Sequence, residues 1–278
     1  MGRSFFNRIK SKSKKENNRW QGRSNGSKRK SAVQDPVLIL GATGAIGGAI
    51  AKRLAAKGPV VVHGRNENKL ALLKNELSSS NKYRVDTYSV DLKQADEVQM
   101  LFDKIAVQHK KLSGIVFSVA EPFSNKLTHN ISWKEFSEQI DSQLKSLHFV
   151  VQNSLPLLKG CKGGARVIIL STEFLIGMPP IKTASYVSAK AAITAYSRVL
   201  SQEWLKHNIR VHILAPGMVK SSLIADMPDR YLDQVVEGMP EKQLTTADDV
   251  ADMAEFLMTP KADTLYGNII HASRAVRR

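Results

Sequence analysis

The feature that most constrains this chain is a glycine turn set between a short apolar run and a helix-forming stretch. Val37-Leu38-Ile39-Leu40 has the composition of a buried strand, and it leads straight into Gly41-Ala42-Thr43-Gly44-Ala45-Ile46-Gly47. Glycine at such a turn lets backbone N–H groups approach a pyrophosphate with no Cβ in the way. The helix that follows, from about Ala45 to Lys57, adds the partial positive charge of its N-terminus. A purely structural strand-to-helix turn is the alternative. With Val60 to His63 as the next strand, the segment predicts a βαβ unit.

The alternation continues along the chain. Helices are expected near Glu67 to Leu77, Ala95 to His109, Ser132 to Leu158, Ala184 to His207 and Ala247 to Met258. Strands are expected near Arg84 to Val90, Gly114 to Val119, Val167 to Leu170, Val211 to Leu214 and Asn268 to His271. Strands separated by helices of this length predict an α/β fold, a doubly wound parallel sheet of Rossmann type in one domain over residues 36–278. The chain of 278 residues carries a net charge of +16, but residues 1–35 hold 11 basic and 2 acidic side chains, so this segment reads as a disordered basic tail. Its charge suits an acidic protein, an anionic lipid surface or nucleic acid. It has no apolar core of a secretory signal, and its Arg- and Ser-rich, acid-poor composition resembles a mitochondrial transit peptide. One cysteine, Cys161, fits a reducing compartment, and the cytoplasm is the expected location. The seven histidines form no ligand pair on one helix face, so no metal centre is expected. No apolar stretch reaches the length of a transmembrane helix.

Two further groups point to chemistry. After the second strand, where an acidic side chain would accept the ribose hydroxyls of NAD, the sequence has His63-Gly64-Arg65-Asn66. A guanidinium pairs with a 2′-phosphate in two parallel hydrogen bonds, so Arg65 favours NADP over NAD; a solvated arginine in a turn is the alternative. Tyr186 and Lys190 lie at i and i+4 on one expected helix and so share a face. An ammonium beside a phenol stabilises the phenolate, which predicts a lowered tyrosine pKa.

With these residues in place the sequence resembles the short-chain dehydrogenase/reductase family from about Val37 to Ser273, and most of all its 3-oxoacyl-(acyl-carrier-protein) reductases. The family's TGxxxGxG turn corresponds to Leu40 through Gly47, which implies cofactor contacts from Gly41, Thr43, Gly44, Ile46 and Gly47, with Arg65 and Asn66 beyond the second strand. The resemblance further implies adenine contacts at Asp91 and Leu92, and a wall of the cofactor site at Ala120. It implies a nicotinamide-holding motif at Pro216, Gly217, Val219 and Ser221. Tyr186 and Lys190 correspond to the family's catalytic pair and also to cofactor contacts, Thr172 to its catalytic hydroxyl with Ser171 as fallback, and Gln143 to the helix asparagine of its tetrad. Three departures stand out. The NNAG motif appears as Phe117-Ser118-Val119-Ala120, glutamine replaces asparagine at 143, and the acidic-glycine ending is replaced by Ala272-Ser273-Arg274.

The expected activity is NADPH-dependent reduction of a ketone, free or carrier-bound, by hydride transfer with Tyr186 as proton donor. Phe174, Met178, Leu223, Ile224 and Met227 are expected to wall the substrate or to serve as ordinary packing. Pairing of subunits into a homodimer or homotetramer is expected along the two long helices, with Ala189, Ala191 and Ala192 allowing close approach. Two other readings use the same residues. Gly41, Gly44 and Gly47 also satisfy the GxxGxxG turn of extended family members that act on nucleotide sugars, and the departures suit a non-catalytic NADP-binding protein whose basic tail engages an acidic partner.

Overall fold

Seven parallel strands run in the order β3-β2-β1-β4-β5-β6-β7, so chain direction across the sheet reverses between β1 and β4. They are β1 Val37–Leu40, β2 Val60–His63, β3 Val85–Tyr88, β4 Gly114–Phe117, β5 Ala165–Leu170, β6 Ile209–Pro216 and β7 Ile269–Ala272. The computed structural model describes residues 34–274 except 225, 226 and 228. The expected basic tail, up to residue 33, lies outside the described residues, as do the last four.

The helices between the strands are α1 Ala45–Ala55, α2 Glu67–Ser80, α3 Ala95–His109, α4 Trp133–Ile140, α5 Ser146–Leu158, α6 Ala184–Leu205, α7 Asp229–Glu237 and α8 Ala247–Leu257. Successive strand residues point to opposite faces, and both faces are covered. Leu38, Leu40, Ile115 and Phe117 pack with Phe102 of α3, Leu147 of α5 and Ile193 of α6. Ile39, Val60, Val62 and Val116 pack with Ile50 of α1, Leu70 of α2 and Val250 of α8. This is why these strands read as unbroken apolar runs rather than as alternating ones. Each such side chain, fully buried, contributes roughly 1.5–3 kcal/mol of transfer free energy. Local signals set several helix starts: Asn66 accepts from Lys69 N at 2.9 Å, and Ser132 with Glu135 and Thr246 with Asp249 form capping boxes. No helix among the described residues is long and apolar enough to cross a membrane.

Two elements depart from expectation. The helix expected to run unbroken from Ser132 to Leu158 is interrupted by a π-helical turn at Asp141–Lys145, where the Ser146 hydroxyl donates to Asp141 O at 3.1 Å. Helix α7 had no counterpart in the expected pattern. Its charged sequence hides a single buried residue, Val235, which joins Met218, Ile224 and Met239 in a small apolar cluster. The C-terminal departure also finds its place: Arg274 pairs with Asp249 (Nη2 to Oδ2, 2.8 Å) and with Glu241 (Nη1 to Oε2, 2.6 Å), so the end of β7 is tied to the entry of α8 in its own chain.

Candidate active site

The chain reversal between β1 and β4 opens a crevice at the carboxyl ends of the strands, the position at which open α/β sheets hold their ligands. Gly41 stands there at φ +81°, and a Cβ on it would lie 2.5 Å from Ser118 O; a Cβ on Gly47 would lie 2.3 Å from Gly41 O. The turn therefore tolerates glycine only. Gly44 precedes α1 without a side-chain cap, and the first turn of α1 carries no acidic residue. Gly44, Ala45, Ile46 and Gly47 at this helix start line part of a cavity of about 140 Å³. An uncapped, acid-free helix start beside such a turn fits the pyrophosphate of a dinucleotide.

His63, not singled out in the sequence, braces this turn. Its Nε2 lies 3.0 Å from Val90 O, and Gly41 N donates to its Nδ1 at 3.4 Å. Burial holds its pKa below the usual histidine value, so the ring is neutral and carries its proton on Nε2.

A second cavity, about 250 Å³, shares Gly44, Ser118, Val119, Ala120 and Pro122 with the first, so the two form one groove. Thr43, Arg65, Asn66, Asp91 and Leu92 all line it, together with Lys69 and Lys93. The Asn66 carbonyl is already engaged in capping α2, and Asp91 Oδ1 accepts from Lys93 N at 3.0 Å. Arg65 is not a free guanidinium: its Nη1 donates to Glu121 Oε1 at 2.7 Å. Glu121 follows the altered NNAG segment, so a carboxylate does stand opposite the end of β2, delivered by a different loop from the one where it was sought.

At the other end of the groove, Thr172, Tyr186, Lys190, Pro216, Gly217, Val219 and Ser221 line the smaller cavity. The Thr172 hydroxyl hydrogen-bonds Tyr186, whereas Ser171 Oγ lies 2.6 Å from Thr194 Oγ1 inside the protein. Both residues line the groove, but the Ser171 hydroxyl is engaged in packing β5 against α6, which leaves Thr172 as the hydroxyl beside the phenol. The lowered phenol pKa expected from the Tyr186–Lys190 spacing is not what the structure shows. Burial pushes Tyr186 up to about 12, the Thr172 hydroxyl pulling weakly the other way. The reason is geometric: Phe123 stacks on the Tyr186 ring at 4.9 Å and Phe174 meets it edge-on at 6.4 Å. The Lys190 ammonium, meanwhile, is turned to Leu170 O at 2.7 Å. Burial brings Lys190 itself down to about 7.

The turn after β6 is held by a residue that sequence reading missed. Glu173 is buried; its Oε1 accepts from Met218 N at 3.2 Å, and its Oε2 accepts from Ser273 Oγ at 2.6 Å. A Cβ on Gly217 would lie 2.6 Å from Thr245 Oγ1, so the glycine admits Thr245 and Glu173 beneath the turn. Val219 bridges Thr245, and Ser221 Oγ accepts from Leu223 N at 3.3 Å. Of the expected apolar wall, Phe174, Leu223 and Ile224 line the groove with Phe123 and Met218. Met178 does not; it is 89% exposed, and Met227 packs instead in the cluster around Met218 and Ile224.

Gln143 sits in the π-helical turn, fully buried, and lines neither cavity. Its Nε2 donates to Gln139 Oε1 at 3.0 Å, and Gln139 Nε2 donates to Pro122 O at 3.1 Å and Glu121 O at 3.4 Å.

Sheet order, glycine turn and continuous groove define a Rossmann-type dinucleotide-binding protein with a tyrosine and a lysine at one end of the ligand site. Residues 41–274 match the family described as enoyl-(acyl carrier protein) reductase. The chain belongs to this branch of the short-chain dehydrogenase/reductase family and is an oxidoreductase. It is 28% identical over 240 residues to the 3-oxoacyl-[acyl-carrier-protein] reductase of Chlamydia muridarum, a match covering 86% of this chain and 95% of that protein. Among solved structures it is similar to an NADPH-dependent reductase involved in bacilysin biosynthesis, with TM-score 0.80 at 20% identity over 88% of this chain and 99% of that one. It is also similar to a short-chain dehydrogenase from Burkholderia cenocepacia in complex with NADP, with TM-score 0.78 at 20% identity over 86% and 96% of the two chains.

Proposed function

We propose that this protein reduces a ketone with NADPH, using Tyr186 as the proton donor. The observation that carries the reading is the convergence of Thr172, Tyr186 and Lys190 at one end of a groove whose other end presents Arg65. The first turn of α1 and the glycine turn would hold the pyrophosphate, Asp91 and Leu92 the adenine side, and the turn from Pro216 to Ser221 the nicotinamide side. When bound, NADPH supplies the hydride.

The residues of the chain then divide the remaining work. With its pKa up at about 12, Tyr186 keeps its proton at neutral pH, which suits donation to a carbonyl oxygen as negative charge develops on it. Thr172 donates a second hydrogen bond to the same oxygen. Lys190, near 7, is poised to take up a proton when an anionic or hydroxyl-rich ligand arrives beside it. Phe123, Phe174, Met218, Leu223 and Ile224 offer an apolar surface to the rest of the substrate, which fits an acyl chain or a ring. The resemblance to a 3-oxoacyl-carrier reductase favours a 3-oxoacyl thioester. Gln143 acts through Gln139, as a positioning residue. A chain with one cysteine suits a reducing compartment, the cytoplasm in this reading.

We also infer pairing of two copies along α4, α5 and α6. Ala191 and Val199 are exposed on α6, but Ala189 faces the core and contributes nothing to an outer surface. The test of the activity is NADPH oxidation followed at 3-oxoacyl thioesters and cyclic ketones with the wild type and Tyr186→Phe. Turnover that survives the substitution undiminished would remove Tyr186 from the chemistry.

A further inference from the structure

We propose that Glu121 determines cofactor discrimination at this site, opposing a 2′-phosphate and supporting a 2′-hydroxyl. The inference rests on the reading of the groove as a nicotinamide dinucleotide site and goes beyond it. Glu121 Oε1 lies 2.7 Å from Arg65 Nη1 and 3.9 Å from Lys93 Nζ, and all three residues line the cavity that also holds Asp91 and Asn66. The carboxylate is not a loose surface group: its own carbonyl, Glu121 O, and the next one, Pro122 O, accept hydrogen bonds from the buried Gln139. The Glu121 side chain is 26% exposed against 53% for Arg65, so the carboxylate is the more enclosed partner of the pair.

Two ligands that differ by one phosphate meet this pair differently. A 2′-phosphate needs the face of Arg65 that Glu121 now occupies, and like charge sets the two anions against each other; part of the affinity for NADPH is lost in displacing the carboxylate. A ribose 2′-hydroxyl is a donor, and Glu121 can accept from it while Arg65 stays paired. The acidic group absent after β2 is thereby supplied in space by the loop after β4. NADPH remains favoured by Arg65, Lys69 and Lys93, but its lead over NADH is narrow, and this oxidoreductase works with either.

The experiment is titration of the full chain with NADPH and with NADH, for wild type, Glu121→Gln, Arg65→Ala and the double variant. Glu121→Gln is expected to tighten NADPH about twofold to fivefold, the range of a partly exposed ion pair, and to weaken NADH by a similar factor. In the Arg65→Ala background the part of the gain that comes from freeing the guanidinium disappears, and only relief of the like-charge repulsion is left. Opposite movement for the two cofactors separates this role from simple damage to the loop, which weakens both together and overturns the proposal, as does a ratio unchanged by Glu121→Gln. A folded wild type that binds neither dinucleotide overturns the groove assignment itself; binding of both with no response at Glu121 overturns only the present inference.

Discussion

Gln143 and Gln139 are joined amide to amide at 3.0 Å, and through Gln139 the π-helical turn of the long helix reaches the carbonyls of Glu121 and Pro122. The segment so held carries Glu121 to Arg65 at one end of the groove and Phe123 onto Tyr186 at the other. The departures at NNAG and at position 143 are therefore linked through Gln139, which accepts from the Gln143 amide and donates to the loop that lacks the two asparagines.

Breaking this link should be felt at both ends. Gln139→Ala leaves the buried Gln143 Nε2 without its acceptor and frees the loop at Glu121 and Pro122, and it is expected to destabilise the protein by about 1–3 kcal/mol. Gln143→Asn, one methylene shorter, should cost less. Urea unfolding checks the first quantity. Steady-state kinetics should show a raised KM for NADPH together with a lowered kcat in Gln139→Ala.

Tyr186→Phe should leave NADPH affinity nearly intact while lowering turnover by roughly 10² to 10⁴-fold, the range for loss of a general acid. Thr172→Ala should cost less, because it removes one hydrogen bond to the oxygen and not the proton. Ser171→Ala should change stability rather than kcat, since its hydroxyl is spent on Thr194.

Lys190 makes cofactor binding pH-dependent in a definite direction. With its pKa near 7 in the free protein and raised by a ligand that favours its charged form, binding takes up a proton above pH 7, and affinity falls as pH rises beyond that point. Calorimetric titration at pH 8 in buffers of different ionisation enthalpy should report an uptake approaching one proton. At pH 6, where Lys190 is already largely charged, uptake through it should be small, and Lys190→Met should abolish the uptake seen at pH 8.

Glu173 should behave as a positioning residue. Glu173→Ala removes the acceptor for Met218 N and for Ser273 Oγ, at a cost of about 1–3 kcal/mol, and frees the turn from Pro216 to Ser221. The expected signature is a raised KM for NADPH with kcat less affected, and substantial rescue in Glu173→Gln, which keeps one carbonyl acceptor. Thermal denaturation and kinetics of the pair decide it; a glutamine variant no better than alanine would show that the charge itself is required.

What could be read from the chain alone is what local pattern encodes. The run Val37–Leu40 and its glycines specify a strand, a turn and a helix within a few residues of one another, and the i, i+4 spacing puts Tyr186 and Lys190 on one helical face. Sequence also singled out Thr172 and Arg65, and the structure puts both on the groove. It could not show that Arg65 meets Glu121 across 56 residues, or that Glu173 reaches Met218 across 45 and Ser273 across 100. Those partners lie in loops brought together at the carboxyl ends of β2, β4, β5, β6 and β7, and strand order is a property of the assembled sheet. The same holds for the Tyr186 phenol: the spacing to Lys190 is local, but its pKa is governed by burial under Phe123 and Phe174, which only tertiary packing decides.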